Sequence, residues 1–289
     1  NVPLSDSFAV RGSFQTRERE GFKKNIIPGG YDYDDLDQTI ARVRAKWTVS
    51  DDTSLEVSHM LATVNDLSNM GAVSADQGNA RGISFGGITT TRRDQIASSA
   101  TAVELNPDGP KHYMDSSSIR LETSMGGNNV VVYATDSEND ERRFGDYDGN
   151  SFNDIDVTMT ENKSEELTAG IEISSNNDGP LNWILGANYL DQEVNYDFDL
   201  RIGAIGGGNV PASTGHGTYN LDTYGFFASF DYELSDKLML TVGGRYTNEE
   251  KDVYWRASQY PGYAQNARLT LAAALLPNRN GEEWTSFDP

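Results

Sequence analysis

The chain has no cysteine among its 289 residues, so neither a disulfide framework nor a thiolate metal site can form. Histidine is nearly as scarce. His59, His112 and His216 lie far apart, without the spacing that side-chain zinc sites use. Positive charge is in short supply: 23 Lys and Arg stand against 44 Asp and Glu, a formal charge of -21. Phosphate backbones would repel such a chain, which argues against nucleic acid as a partner. No apolar run approaches the roughly 20 residues that a membrane helix needs. That excludes a helical membrane protein but not a membrane barrel, whose strands turn only alternate side chains to lipid. A mean hydropathy of -0.58 fits a barrel, and it fits a secreted β-protein as well. No charged and then apolar leader opens the chain. Both ends are expected to be cuts through a domain.

What the sequence holds instead is period-two alternation, the mark of a strand with one apolar and one polar face. About nine segments carry it. Phe8, Val10, Phe14 and Thr16 oppose Ser7, Arg11, Ser13 and Gln15. Ala41, Val43, Ala45 and Trp47 oppose Arg42, Arg44 and Lys46. Leu55, Val57 and Leu61 oppose Glu56 and Ser58, and Ile119, Leu121 and Met125 oppose Arg120, Glu122 and Ser124. A strand is expected over 129–137, with faces left ambiguous by Val130, Val131 and Val132. Leu167, Ala169, Ile171 and Ile173 oppose Glu166, Thr168 and Glu172. The clearest apolar faces are Leu181 with Trp183, Leu185, Ala187 and Tyr189, Tyr224 with Phe226, Ala228, Phe230 and Tyr232, and Leu238 with Leu240, Val242 and Tyr246.

Connections alternate between two kinds. Short Gly, Asn, Asp and Ser clusters with turn chemistry fall at 49–52, 126–129, 175–180 and 233–237. Long polar connections are expected over about 17–36, 65–115, 138–163, 196–221 and 254–289, the last with a short Ala- and Leu-rich helix near 264–276. In an up-and-down sheet alternate connections lie at opposite ends, so one end is tight and the other carries large loops. Outer-membrane barrels have this asymmetry. Phe8, Trp47, Trp183 and Tyr232 lie beside short turns, where an interfacial girdle belongs, and Tyr189 and Tyr246 lie toward the other interface.

Residues 223–247, TYGFFASFDYELSDKLMLTVGGRYT, resemble a hairpin of TonB-dependent outer-membrane receptors. Residues 3–11, 17–22 and 181–191 resemble further strands of the same family. The resemblance implies an all-β antiparallel meander that is part of a 22-stranded transmembrane barrel plugged by an N-terminal domain. It also implies import of a scarce nutrient, driven by the TonB energy-coupling complex. The whole of 1–289 then reads as a partial barrel domain without plug, TonB box or closing C-terminal strands. About nine strands cannot enclose a pore of that class.

No catalytic constellation stands out, and no Gly-x-Ser-x-Gly elbow occurs. The Gly-rich run 203–208 leads into Asn209-Val210-Pro211 and not into a helix, which reads as a loop tip. Asp146, Asp148, Asn150, Asp154 and Asp156 concentrate oxygen ligands of the type calcium takes, without the spacing of an EF-hand, so a solvated acidic loop is the plainer reading. No other cofactor is expected. Arg42, Arg44, Lys46, Arg120 and Glu122 are expected to face the lumen. Among the loop aromatics, Trp255, Tyr260, Tyr263 and Tyr147 are candidates for stacking on a ligand, and packing of loop against loop is the alternative.

The expected function is uptake of a siderophore, glycan or vitamin across the outer membrane of a Gram-negative bacterium. Outer-membrane lipid, a plug and the TonB complex are the expected partners. A passive porin and a secreted β-rich binding module are the alternatives.

Overall fold

The computed structural model describes residues 1–30, 32–65, 95–96, 111–146, 156–176, 179–201, 211–259 and 282–288. Among these residues every regular element is a strand: β1 (Val2–Pro3), β2 (Phe8–Arg19), β3 (Lys24–Asn25), β4 (Leu36–Ser50), β5 (Thr53–Val64), β6 (Gln95–Ile96), β7 (Lys111–Met125), β8 (Asn128–Asp146), β9 (Asp156–Ser175), β10 (Leu181–Arg201), β11 (Pro211–Ser235), β12 (Leu238–Gln259) and β13 (Glu282–Asp288). Eleven of them form one sheet in the order β1-β2-β4-β5-β7-β8-β9-β10-β11-β12-β13. Each pairs antiparallel with its neighbour, giving the expected up-and-down meander. β3 and β6 pair in parallel and tie the connection after β2 to the one after β5.

The nine alternating segments are β2, β4, β5 and β7 to β12. Their short turns form as the residues require. Gly126 and Gly127, with φ of 61° and 77°, take the two left-handed positions of a tight hairpin turn. Strand length differs from expectation. β8 and β9 have 19 and 20 residues and β10 and β11 have 21 and 25, so most of 138–163 and 196–221, expected as loops, is ladder. β13 also lies inside a segment expected to be a connection. The physical reason is that beyond the apolar segment the contrast changes sides, as in β10, where Val194, Tyr196 and Phe198 stand on the formerly polar face and Glu193, Asn195 and Asp197 on the other, while backbone pairing continues.

Register sorts the side chains of this ladder onto two faces. On one face Leu121, Val132, Ile171, Ala187, Phe226 and Tyr246 stand on a single rung across six strands. The ambiguous valines are thereby resolved: Val130 and Val132 are apolar-face residues, while Val131 pairs with Glu122 and Glu172 on the polar face. That apolar face is uncovered. Phe226 is 55% exposed and Val242 58% exposed, and among the described residues the only buried large apolar side chain is Tyr33. A soluble sandwich would cover this face with a second sheet. Among the described residues no second layer does so.

The apolar face ends abruptly toward the long connections. The rung Asp136–Leu167–Asp191–Asp222–Glu250 follows that of Tyr189, Tyr224 and Asn248, and the next is Asp115–Glu138–Glu165–Glu193–Asn220–Asp252. Tyr189 donates its hydroxyl toward Asp222 at 3.1 Å and Asp191 at 3.2 Å, so its ring meets the first acidic rung. Tyr224 lies 6.1 Å from Phe226 and 6.4 Å from Tyr246, ring to ring.

Candidate functional site

The polar face divides by charge. On β2 it carries Arg11, Arg17 and Arg19, and on β4 Arg42, Arg44 and Lys46, in register and without a carboxylate on either strand's polar face. The first carboxylate stands one strand further, where Arg44 Nε lies 3.3 Å from Glu56 Oε1. Glu56 shares its rung with Lys46 and Arg120. Arg120 Nε lies 2.7 Å from Glu122 Oε1 along its own strand. Arg42 donates to the sulfur of Met60 at 3.1 Å. All five residues expected on the lumen side therefore occupy the polar face; Arg42, Arg44 and Lys46 join Arg11, Arg17 and Arg19 in one basic wall, while Arg120 and Glu122 pair with each other on β7. Arg17 and Arg19 follow Thr16, beyond the last apolar residue of the β2 alternation, Phe14.

Toward the long connections the polar face turns aromatic. Tyr196, Gly217 and Trp255 share a rung across β10, β11 and β12, and Phe198 pairs with Gly215 on the next. Trp255 leans across β11, so that a Cβ on Gly217 would come within 2.5 Å of its ring. Phe198 leans across from the other side and covers Gly215 in the same way. The two rings lie 5.6 Å apart with planes 20° from parallel. Tyr196 stands 5.8 Å from Phe198 and 6.0 Å from Trp255. Trp255 was expected in a loop; it stands on a strand instead. Tyr196 and Phe198 were not singled out, since the signal that finds them is the Gly-x-Gly of β11 read against both neighbours.

Tyr147, Tyr260, Tyr263, Asp148, Asn150 and Asp154 lie outside the described residues, as does the segment 264–276. Asp146 and Asp156 face each other across the β8–β9 ladder, which brings the two ends of the acidic segment together.

One side-chain cluster has the composition of a nucleophile relay and not its geometry. His59 Nδ1 lies 2.9 Å from Ser117 Oγ and 3.5 Å from Asp115 Oδ1. A relay needs the serine on one ring nitrogen and the carboxylate on the other. Here one nitrogen serves both. A shallow depression of about 680 Å³, lined by Leu121, Ala134, Ala169, Ile171, Ala187 and Phe226, lies on the apolar face and not among the polar groups.

No family model and no curated protein sequence matches the chain. Its fold does match solved structures, and these are TonB-dependent outer-membrane receptors. The ferric yersiniabactin uptake receptor FyuA from Yersinia pestis superposes with a TM-score of 0.65 at 12% identity, over 99% of this chain and 39% of that one. The ferric-catecholate import receptor Fiu from E. coli K12 gives 0.57 at 10%, over 99% and 48%. FpvA of P. aeruginosa, bound to heterologous pyoverdines, gives 0.57 at 11%, over 89% and 35%. The chain thus has the fold of a barrel wall of this receptor class, and it spans less than half the length of each of these three.

Proposed function

We propose that this sheet is part of the wall of an outer-membrane receptor that imports an anionic ferric chelate in a Gram-negative bacterium. One observation carries the membrane reading: across the long strands an uncovered apolar face ends on two successive acidic rungs. Such a face is stable against lipid and unstable in water. The polar face then lines the lumen, where a plug and the cargo meet it. The basic wall of β2 and β4 supports anionic cargo, because charge of one sign along a channel raises the local concentration of the opposite sign. The ferric-complex receptors named above share this fold and support the same substrate class. The TonB complex supplies the energy in this reading.

The test is uptake of radiolabelled ferric chelates by cells with and without the full-length gene. Uptake that needs both the gene and the proton-motive force is the expected result. Gene-dependent uptake that survives an uncoupler would make the protein a passive pore, and no gene-dependent uptake of any chelate would remove the proposal.

A further inference from the structure

We infer that the depression on the apolar face holds one acyl chain of a lipid whose headgroup carries an ammonium, met by the carboxylates above it. The inference rests on the uptake reading, which puts this face against lipid, and adds a partner to it. The depression exists because three small residues stand together. Ala134 and Ala169 are cross-strand partners on β8 and β9, and Ala187 stands one rung nearer the short turns on β10. Leu121 rises on one side of them, Tyr189 and Phe226 on the other, and all of these line the hollow. Its surface is almost wholly apolar, so a polar headgroup inside it would lose its hydrogen bonds to water without replacement. An alkyl chain loses nothing there. Toward the long connections the next rung is Asp136, Leu167, Asp191 and Asp222.

Those carboxylates decide the headgroup. Asp191 and Asp222 are direct cross-strand partners, as are Asp222 and Glu250, and like charges so placed repel. Among the described residues no lysine or arginine pairs with Asp136, Asp191, Asp222 or Glu250. Lys163, two rungs further on, is held by Glu138 at 3.1 Å and Glu165 at 2.5 Å. His59, on the same rung but on β5, lies 3.5 Å from Asp115. The hydroxyl of Tyr189 reaches both Asp191 and Asp222 but brings no charge. Asp136, Asp191 and Asp222 are exposed, so a headgroup can reach them. An ammonium there makes charge-assisted hydrogen bonds and relieves the repulsion. Hollow and rung follow one another along the strands as chain and headgroup follow one another in a lipid. A free cation would use the rung and ignore the hollow, and an anionic lipid would enter the hollow and be repelled by the rung.

The full-length receptor in detergent is titrated with phosphatidylethanolamine and, separately, with phosphatidylglycerol of the same chains, both in EDTA. Native mass spectrometry counts the bound lipid. Ala169→Leu fills the hollow, and Asp191→Asn together with Asp222→Asn removes the charge and keeps the shape. Retention of heat-modifiable mobility on gels establishes that each barrel is folded. The expected result is one phosphatidylethanolamine held at least tenfold more tightly than phosphatidylglycerol by the parent. The double Asn variant should lose this preference, and Ala169→Leu should bind phosphatidylethanolamine about tenfold more weakly. Equal affinity of the parent for the two lipids would overturn the inference, and so would undiminished phosphatidylethanolamine binding by Ala169→Leu. Phosphatidylglycerol bound the more tightly once magnesium replaces EDTA would overturn it too, by making a divalent cation the bridge. Because binding is read on purified protein, these outcomes are independent of whether cells import any chelate.

Discussion

Tyr133 lies across Gly170 on the polar face, close enough that a Cβ on the glycine would come within 2.5 Å of the phenol ring. The two residues are cross-strand partners on β8 and β9. The ring flattens against the sheet because the glycine leaves it room, and a side chain there would lift it away. Gly170→Ala in the full-length protein should destabilise by about 1–3 kcal/mol, the usual range for overpacking. Urea titration of the barrel in lipid vesicles checks this. In the Tyr133→Ala background the same substitution should cost much less; equal cost in both backgrounds would show that the ring is not the cause.

Leu185 and Val242 occupy the middle of the apolar face, between the short turns and the girdle tyrosines. Leu185→Arg or Val242→Arg should cost about 2–4 kcal/mol, as cations near the bilayer midplane do. Asp252→Arg, on the second acidic rung, should cost close to nothing by the same refolding assay. Similar costs at all three sites would place the membrane elsewhere on the sheet.

Replacing Arg17 and Arg42 together by alanine removes two of the six polar-face cations of β2 and β4. Uptake of an anionic ferric chelate should fall severalfold at low ionic strength and less at high, since mobile salt screens a steering field. A neutral chelate taken up by the same cells should be unaffected. A loss that is equal for both cargoes would point to damaged folding.

Asp32 lies in the connection between β2 and β4. Its carboxylate accepts a hydrogen bond from Lys24 Nζ at 2.6 Å and another from the backbone N–H of Asn25 at 2.8 Å. These hold its pKa below the ordinary 3.8, the lysine contributing most. With a depressed folded pKa, the stabilisation is present above the unfolded value and is lost as pH falls through the folded one. The protection factor of the Asn25 amide, its exchange corrected for the intrinsic rate at each pH, should therefore hold from neutral pH into the ordinary carboxylate range and fall as pH drops through the lowered value of Asp32. Asp32→Asn should lower it at neutral pH. An unchanged factor in that variant would show that other contacts hold the segment.

Alternation located nine strands and both faces because an apolar and a polar side of one sheet sort residues with period two. Even β8 needed only its partners, Leu121 and Ile171, to show which valine faces where. The outer halves of β8 to β12 escaped it because the contrast changes sides there: in β10 Asp191, Glu193 and Asn195 continue the formerly apolar face while Val194, Tyr196 and Phe198 continue the formerly polar one, so the apolar stripe ends and the segment resembles a connection. Nor could alternation find the aromatic cluster of Tyr196, Phe198 and Trp255. Phe198 and Trp255 are far apart in sequence, and only the strand between them, with its two glycines, makes them neighbours.

The apolar face of β10 runs from Leu181 to Tyr189 before Asp191 ends it. Nine residues of strand at a tilt near 45° cross roughly 20 Å, somewhat less than the ~25 Å apolar band usual for such barrels. The protein thus carries its own hydrophobic thickness, set by where the carboxylates begin. A thicker bilayer cannot simply engulf more wall, because the next residues in line are Asp191, Asp222 and Glu250 and would lose their hydration. The surrounding lipid must thin instead, at a modest cost for each ångström of mismatch. Insertion should therefore be faster into short-chain than into long-chain phospholipid vesicles, and on the proposed reading the membrane would be shaped by this wall as much as the wall is held by the membrane.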